Sequence, residues 1–337
     1  MDFNRMIQEV QSESLQTLLA QVRCEDSPPL NIDLDAHHSS TRQETPLDSL
    51  HLGDVLEIVG QPGSGKTHLL YLLMIACIIP TTYSSVTIGG WDKVTVLFNT
   101  DASFDLARFK HLLTSRLAAI MKTPSESDAV QLLVERSLRN LHLFSPNSST
   151  QLAETLLYLP SYHRTKLSES EIGILAIDSI SAFHWSDRFT AEQLRSTAAH
   201  RVSNPFHHVV TALCRFYSTH KPMVILTNWG LTKTTESPLA FRQHLNPPPA
   251  LFAVTPNSSS FTALPLTLHI TLSTQPVSQI PVHFSLADAC AQGSQMTSRP
   301  AQAVIRSAGG SQISHFAFTV EKDRLSLTVI VSSLEPE

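Results

Sequence analysis

Hydrophobic positions between residues 51 and 230 fall into two patterns that alternate along the chain. Short continuous apolar runs, such as DVLEIVG and IGILAIDSISAF, predict strands that are buried on both faces. Between such runs, FDLARFKHLLTSRLAAIM places its apolar residues three and four apart, which predicts a helix. Strands alternating with helices predict an α/β fold, with a mostly parallel sheet covered by helices on both faces.

The pattern changes towards both ends of the chain. Residues 5–23 have apolar positions at helical spacing, and residues 25–50 are polar, so we expect a helical segment and linker over 1–50 and a core domain over 51–337. Residues 232–262 are rich in Pro, Ser, Thr and Asn, which predicts a long loop. Beyond that loop the strand pattern returns, and a hairpin around residues 321–323 predicts antiparallel strands near the C-terminus.

A glycine-rich stretch follows the first predicted strand and leads directly into a long apolar helix. It has the spacing G-x-x-x-x-G-K-T and consists of Gly60, Gln61, Pro62, Gly63, Ser64, Gly65, Lys66 and Thr67. The glycines let backbone amides approach phosphate oxygens, and the positive end of the helix dipole faces the same point. Lys66 has the reach to contact the outer phosphates, and the Thr67 hydroxyl suits Mg²⁺. The stretch therefore predicts a site for ATP with Mg²⁺.

Polar residues end three of the predicted strands. Asp178 closes the run ILAID and is our candidate for a second magnesium-organising acid, against the alternative of a helix cap or turn residue. Asp101 closes VLFNTD and is a candidate to position an attacking water, or an exposed turn acid. Asn228 closes VILTN and is a candidate contact to the γ-phosphate, or simply a polar strand end.

Composition narrows the classes of function. The 337 residues carry a net charge of −5, whereas a protein that grips nucleic acid alone usually has a basic excess. The four cysteines are scattered without a C-x-x-C pair, which disfavours a zinc site and disulfide bonds. The N-terminal residues show no apolar signal core, and the apolar run LLYLLMIACII is too short to span a bilayer, so we expect a soluble intracellular protein.

The order of glycine loop, two acid-ended strands and an Asn-ended strand resembles the RecA-type recombinase core. Blocks such as ESLQTLLAQV, VTVLFNTDASFDLARF and LAIDSISAFHWSDR are similar to the RecA-like paralogues of the eukaryotic strand-exchange recombinase, and the resemblance covers roughly residues 13–230. It implies a nuclear ATP-binding protein of homologous recombination. Such a protein works with another recombinase paralogue and helps recombinase filaments assemble on single-stranded DNA. By motif, residues 60–67 correspond to the ATP loop and Asp178 to the magnesium-side acid.

Some positions depart from the family pattern. Asp101 stands where strand-exchange recombinases carry a glutamate that activates water, and Trp229 stands where they carry a glutamine. The segments 185–204 and 230–262 correspond to the recombinase DNA loops. The second offers few cations, namely Lys233, Arg242 and His244. We therefore expect weak or absent ATPase activity in the isolated chain, and contact with single-stranded or branched DNA through a complex.

Other readings remain open at this point. One is a self-sufficient DNA-dependent ATPase or strand-exchange protein, and another is an interaction module with a vestigial nucleotide site. No Phe-x-x-Ala oligomer motif occurs between residues 24 and 50, so we expect a monomer that pairs with a paralogue. In the N-terminal segment Leu15, Leu18, Leu19 and Val22 share one helical face. That face either packs on the chain's own core or docks a partner.

Overall fold

The structure is a computed structural model. It describes residues 15–25, 27–30, 32, 47, 49–195, 205–234, 237–243, 251–252, 263–274, 285, 287–288, 299–307 and 313–329. Every structural statement below concerns these residues.

Seven helices lie in these ranges. They are α1 (Leu15–Glu25), α2 (Lys66–Ile78), α3 (Leu106–Met121), α4 (Asp128–Leu138), α5 (Ser149–Lys166), α6 (His184–Arg195) and α7 (Pro205–His220). Among the described helices none is long and apolar enough to cross a membrane.

The strands of the described ranges form one large sheet and a short separate ribbon. They are β1 (Val55–Gly60), β2 (Thr82–Tyr83), β3 (Val86–Thr87), β4 (Val94–Asn99), β5 (Leu141–Phe144), β6 (Ile172–Asp178), β7 (Met223–Thr234), β8 (Ser237–Gln243), β9 (Leu268–Thr274), β10 (Arg299–Ser307), β11 (Ile313–Val320) and β12 (Leu325–Val329). The large sheet has the order β12-β11-β10-β9-β1-β7-β6-β4-β5, with β8 paired to β7, and β2 pairs with β3.

The pairing directions match the predicted architecture. The pairs from β9 through β1, β7, β6 and β4 to β5 are parallel. The pairs from β9 through β10 and β11 to β12 are antiparallel, which confirms the predicted C-terminal hairpin. The mostly parallel sheet flanked by helices and extended by antiparallel strands is a RecA-like α/β fold, as predicted.

Each face of the sheet has its own apolar core. One core packs α2, α3 and α4 against alternate residues of the strands, including Leu56, Ile58 and Ile225. The other packs α5 and α7 against the intervening residues, including Val55, Val224 and Leu226. This alternation follows from the two-residue period of a strand, and it fixes which side chains reach the glycine loop.

Residues of the predicted linker, up to position 50, contribute to the first core. Leu30, Leu47 and Leu50 are buried there, and the indole nitrogen of Trp91 donates to the carbonyl of Pro28 at 3.1 Å. The division of the chain at residue 50 stays a prediction, but parts of the predicted linker pack with the domain that follows it.

Two predicted boundaries were wrong, whereas β6 ends at Asp178 as predicted. β4 ends at Asn99 rather than Asp101. The apolar spacing of AEQLRSTAAHRV predicts a helix over residues 191–202, whereas α6 begins earlier, at His184, and residues 196–202 lie outside the described ranges.

The long loop predicted over 232–262 was also wrong in its first part. β7 runs on past Asn228 to Thr234 and pairs with β8 as an antiparallel ribbon. Backbone pairing in a ribbon does not require an apolar sequence, so the polar composition of this segment concealed it. Residues 253–262 lie outside the described ranges.

Candidate phosphate-binding site

The glycine loop joins β1 to α2 at the carboxyl edge of the parallel sheet. Gly65 has a φ of 94° and stands directly before the first turn of α2. A β-carbon there would be strained by this backbone conformation and would lie 3.1 Å from the Phe318 ring. The amides at the start of α2 receive no side-chain cap from this position, so the loop has the form of an anion-binding helix N-terminus.

Lys66 is the positive charge of the loop. Its ammonium donates to the carbonyls of Gly60 at 2.9 Å and Gln61 at 3.0 Å, which folds the side chain back over the loop. The residue is buried, and burial lowers the pKa of its ammonium, while the carboxylates of Asp178 and Asp101 oppose that effect. An ammonium group held in this way is suited to donate a further hydrogen bond to an anionic ligand.

Asp178 is the centre of a cluster of oxygen atoms next to the loop. As the last residue of β6, it lies between β4 and β7 and is only 1% exposed. One carboxylate oxygen accepts from the Thr67 hydroxyl at 2.8 Å and the Ser103 hydroxyl at 3.1 Å, and the other accepts from the Thr227 hydroxyl. Burial raises the pKa of Asp178, and these three hydroxyl donors partly oppose the rise. Hydroxyl and carboxylate oxygens are the ligands that Mg²⁺ prefers.

Ser103 also belongs to this cluster, although no sequence motif predicted it. Its hydroxyl lies 3.3 Å from the Thr67 hydroxyl as well as 3.1 Å from Asp178. The following residue, Phe104, packs edge-on against Tyr71, and the Tyr71 hydroxyl accepts from the Asp105 amide at 2.8 Å. The loop after β4 is thereby fastened to α2, which sets the Ser103 hydroxyl beside Thr67.

Asp101 lies in the same loop, two residues beyond the end of β4. One of its carboxylate oxygens accepts from the Ser103 amide at 3.0 Å, and the side chain is partly exposed. The negative charge of Asp101 acts to raise the pKa of both Lys66 and Asp178. The structure therefore brings Asp101 to the rim of the cluster, although its role in activating water stays a prediction.

Asn228 is not brought into this cluster. Thr227, its neighbour in β7, points to Asp178, so the side chain of Asn228 points to the other face of the sheet. There its amide nitrogen donates to the buried carboxylate of Glu57 at 3.0 Å. The next residue, Trp229, is partly exposed, and its amide donates to the Ser181 hydroxyl at 3.2 Å.

The loop itself retains one polar atom whose partner is missing from the described residues. The Ser64 hydroxyl is buried and makes no hydrogen bond within those ranges. Together with the start of α2 and the buried ammonium of Lys66, it fits the phosphate groups of a nucleotide. The Thr67, Ser103 and Asp178 oxygens fit a magnesium ion beside those phosphates.

The second predicted DNA-contacting segment is only partly described. Lys233 lies near the end of β7 and Arg242 lies in β8, whereas His244 is outside the described residues.

The fold and the glycine loop together define a RecA-like P-loop protein. No protein-family model matches the chain. Among curated proteins, the DNA repair protein XRCC2 homolog of Arabidopsis thaliana is 27% identical over 205 residues, which is 53% of this chain and 55% of the relative. The DNA repair protein XRCC2 of Mus musculus is 32% identical over 167 residues, 49% of this chain and 54% of the relative. The chain thus spans about half the length of the curated relatives it matches, and over that part it is similar to XRCC2 proteins.

Proposed function

We propose that this chain is an ATP-binding subunit that acts in DNA repair by homologous recombination. It works in the nucleus with another recombinase paralogue and assists recombinase filament assembly on single-stranded DNA. The names of the two relatives support the repair role. The glycine loop with the Asp178 cluster beside it is the single observation that carries the nucleotide-binding part.

In this proposal the described residues hold a nucleotide in the following way. The amides of residues 60–67 bind the phosphates, and the Lys66 ammonium leaves its two carbonyl partners to contact the outer phosphates. The hydroxyl of Thr67 and the carboxylate of Asp178 would hold Mg²⁺, which would neutralise charge on the phosphates. Ser103 would orient the Thr67 hydroxyl.

Turnover by the isolated chain is expected to be very slow. Asp101 is one methylene shorter than the glutamate at the matching recombinase position, and a small misplacement of a catalytic group can reduce a rate by about 100-fold. ATP then acts mainly to fix the conformation and assembly of the subunit. Purified chain should hydrolyse ATP slowly with and without single-stranded DNA, and a fast DNA-stimulated rate would favour the self-sufficient enzyme instead.

Calorimetric titration with ATP and Mg²⁺ tests the nucleotide-binding part. Lys66→Ala should weaken the binding of ATP by about 10- to 150-fold, because a hydrogen bond to a charged group contributes about 1.5–3 kcal/mol. Lys110→Ala, an exposed lysine on α3, is the matched control and should bind as the wild type does. Equal affinity in the wild type and Lys66→Ala would contradict the proposal.

Light scattering tests the assembly part. The chain alone should be a monomer, and a mixture with a recombinase paralogue should give a one-to-one complex. Affinity for single-stranded DNA should rise on pairing and fall steeply with salt, because phosphate contacts release counterions. Long filaments of this chain alone, with salt-resistant DNA binding, would contradict this part.

A further inference from the structure

A groove lies on the face of the molecule formed by α1, α5 and α7, and its lining includes no residue of the phosphate loop. Its volume is about 1040 Å³. Helix α1 forms one wall, where Ala20 is buried and the Cys24 thiol donates to the Lys221 carbonyl at 3.6 Å. Helix α5 forms the opposite wall, and α7 forms the floor with Phe216 and the neutral ring of His220, whose pKa burial lowers to about 4.

Apolar side chains on both walls are open to solvent. Leu19 on α1 is 50% exposed and Leu157 on α5 is 53% exposed, and both line the groove. Leu18 and Val22 extend the apolar surface of α1, and Tyr158 extends that of α5. The apolar face predicted for the N-terminal helix therefore does not pack on the chain's own core over its described side chains.

The charge of the groove is opposite to that of the whole chain. Three arginines line it, Arg23, Arg164 and Arg215, and none of them forms an ion pair with another described residue. Of the two carboxylates in the lining, Glu171 is paired with Lys93, which leaves Glu169 against three guanidinium groups. On a chain of net charge −5 this is a local positive surface that complements carboxylates.

We propose that this groove docks an amphipathic helix of a partner protein that carries apolar residues on one face and carboxylates beside them. Helix-lined apolar grooves receive helices through anchors at i, i+3, i+4 and i+7. The 18 residues of α5 give a wall about 27 Å long, enough for a helix of similar length. Aliphatic side chains on both walls favour a protein helix over nucleic acid, which is held by phosphate contacts and base stacking.

Fluorescence anisotropy with labelled 18-residue peptides tests the proposal. The first peptide has leucines at i, i+3, i+4 and i+7 with glutamates on the flanking positions. The second has the same leucines with lysines, and the third probe is an 18-nucleotide single strand of thymidines. The wild-type chain should bind the glutamate peptide at least about tenfold more tightly than the lysine peptide, a difference of about 1.4 kcal/mol.

Matched variants assign the binding to the groove. Arg164→Glu combined with Arg215→Glu should reverse the preference between the two peptides, and Leu157→Asp should weaken both. Lys110→Glu and Leu132→Asp are the controls, because Lys110 is exposed on α3 and Leu132 on α4 is 60% exposed. The control variants should bind the glutamate peptide as the wild type does.

Four results of the binding experiments would overturn the proposal. They are failure of the glutamate peptide to bind, equal affinity for both peptides, equal losses in the control variants, and tighter binding of the thymidine strand that the two arginine substitutions abolish. A dimer of the chain that Leu157→Asp dissociates would assign the groove to a second copy and would also overturn it. These results do not depend on the nucleotide site. If the chain pairs with a paralogue but does not bind the peptides, the proposed function stands and the proposal for this groove fails.

Discussion

Replacement of Asp178 by asparagine separates the chemical role of this carboxylate from its structural role. The side chain is 1% exposed, and three hydroxyl groups, from Thr67, Ser103 and Thr227, donate to it. Asparagine keeps its shape but removes the charge. All three partners are hydroxyls that can accept as well as donate, so none of them becomes a buried unpaired group.

The expected change in stability is small and its sign is favourable. Burial raises the pKa of Asp178 in the folded chain, so the charged form is disfavoured there and its removal is stabilising. Weaker hydrogen bonds to a neutral acceptor offset part of this gain, and the net change should lie between about zero and 1 kcal/mol. At about 2.1 cal/mol/K per residue, 337 residues give about 0.7 kcal/mol per degree, so the melting temperature should rise by at most about 1.5 °C.

Calorimetric melting of the nucleotide-free chain measures this change, and ATP titration with Mg²⁺ measures the loss of binding. Asp178→Ala is the contrasting variant, since it orphans the three hydroxyls and should lower the melting temperature by about 1.5–4 °C, or about 1–3 kcal/mol. Because the folded-state pKa is raised, the stability of the wild type relative to Asp178→Asn should fall as pH rises through that pKa. A large loss of stability in Asp178→Asn with unchanged binding of ATP and Mg²⁺ would refute the reasoning.

Substitutions at three further positions test other parts of the account. Ser103→Ala should raise the magnesium concentration needed for ATP binding while Ser103→Thr preserves it, and identical magnesium titrations would remove Ser103 from the site. Asp101→Glu should raise the slow ATP turnover rate if reach limits the reaction, and a decrease would show that Asp101 acts in another way. Ser148→Ala should destabilise the chain by about 1 kcal/mol, or about 1.5 °C, because Ser148 caps α5 by accepting from the Gln151 amide at 3.1 Å, and Ser148→Asn should retain that stability.

The parts of the fold that could be predicted from sequence are those with strong periodicity. Continuous apolar runs located β1, β4, β6 and the first part of β7, because β1, β4, β6 and residues 223–228 of β7 are buried on both faces. The glycine loop was found from spacing alone, since its backbone conformation requires glycine at particular positions. Polar segments that pair as strands show no hydrophobic periodicity, and the ribbon of β7 and β8 was therefore not predicted.

The candidate site was predictable only where a motif or a strand end marked it. Ser103 lies in an irregular loop, and its place beside Thr67 depends on the packing of Phe104 and Tyr71, which no local pattern reveals. Asn228 ends an apolar run, but alternation along β7 directs it to Glu57 instead of the phosphate loop. A prediction of side-chain direction therefore needs the strand register as well as the strand end.

Thermal melting with and without ATP and Mg²⁺, in the wild type and in Lys66→Ala, tests the central claim most directly. A ligand at about 100 times its Kd stabilises the folded state by about 2.7 kcal/mol, which corresponds to about 4 °C for this chain. The account predicts that shift in the wild type only when Mg²⁺ is present, and a much smaller shift in Lys66→Ala. A wild-type chain whose melting temperature does not respond to ATP and Mg²⁺, or a Lys66→Ala chain that responds equally, would contradict it.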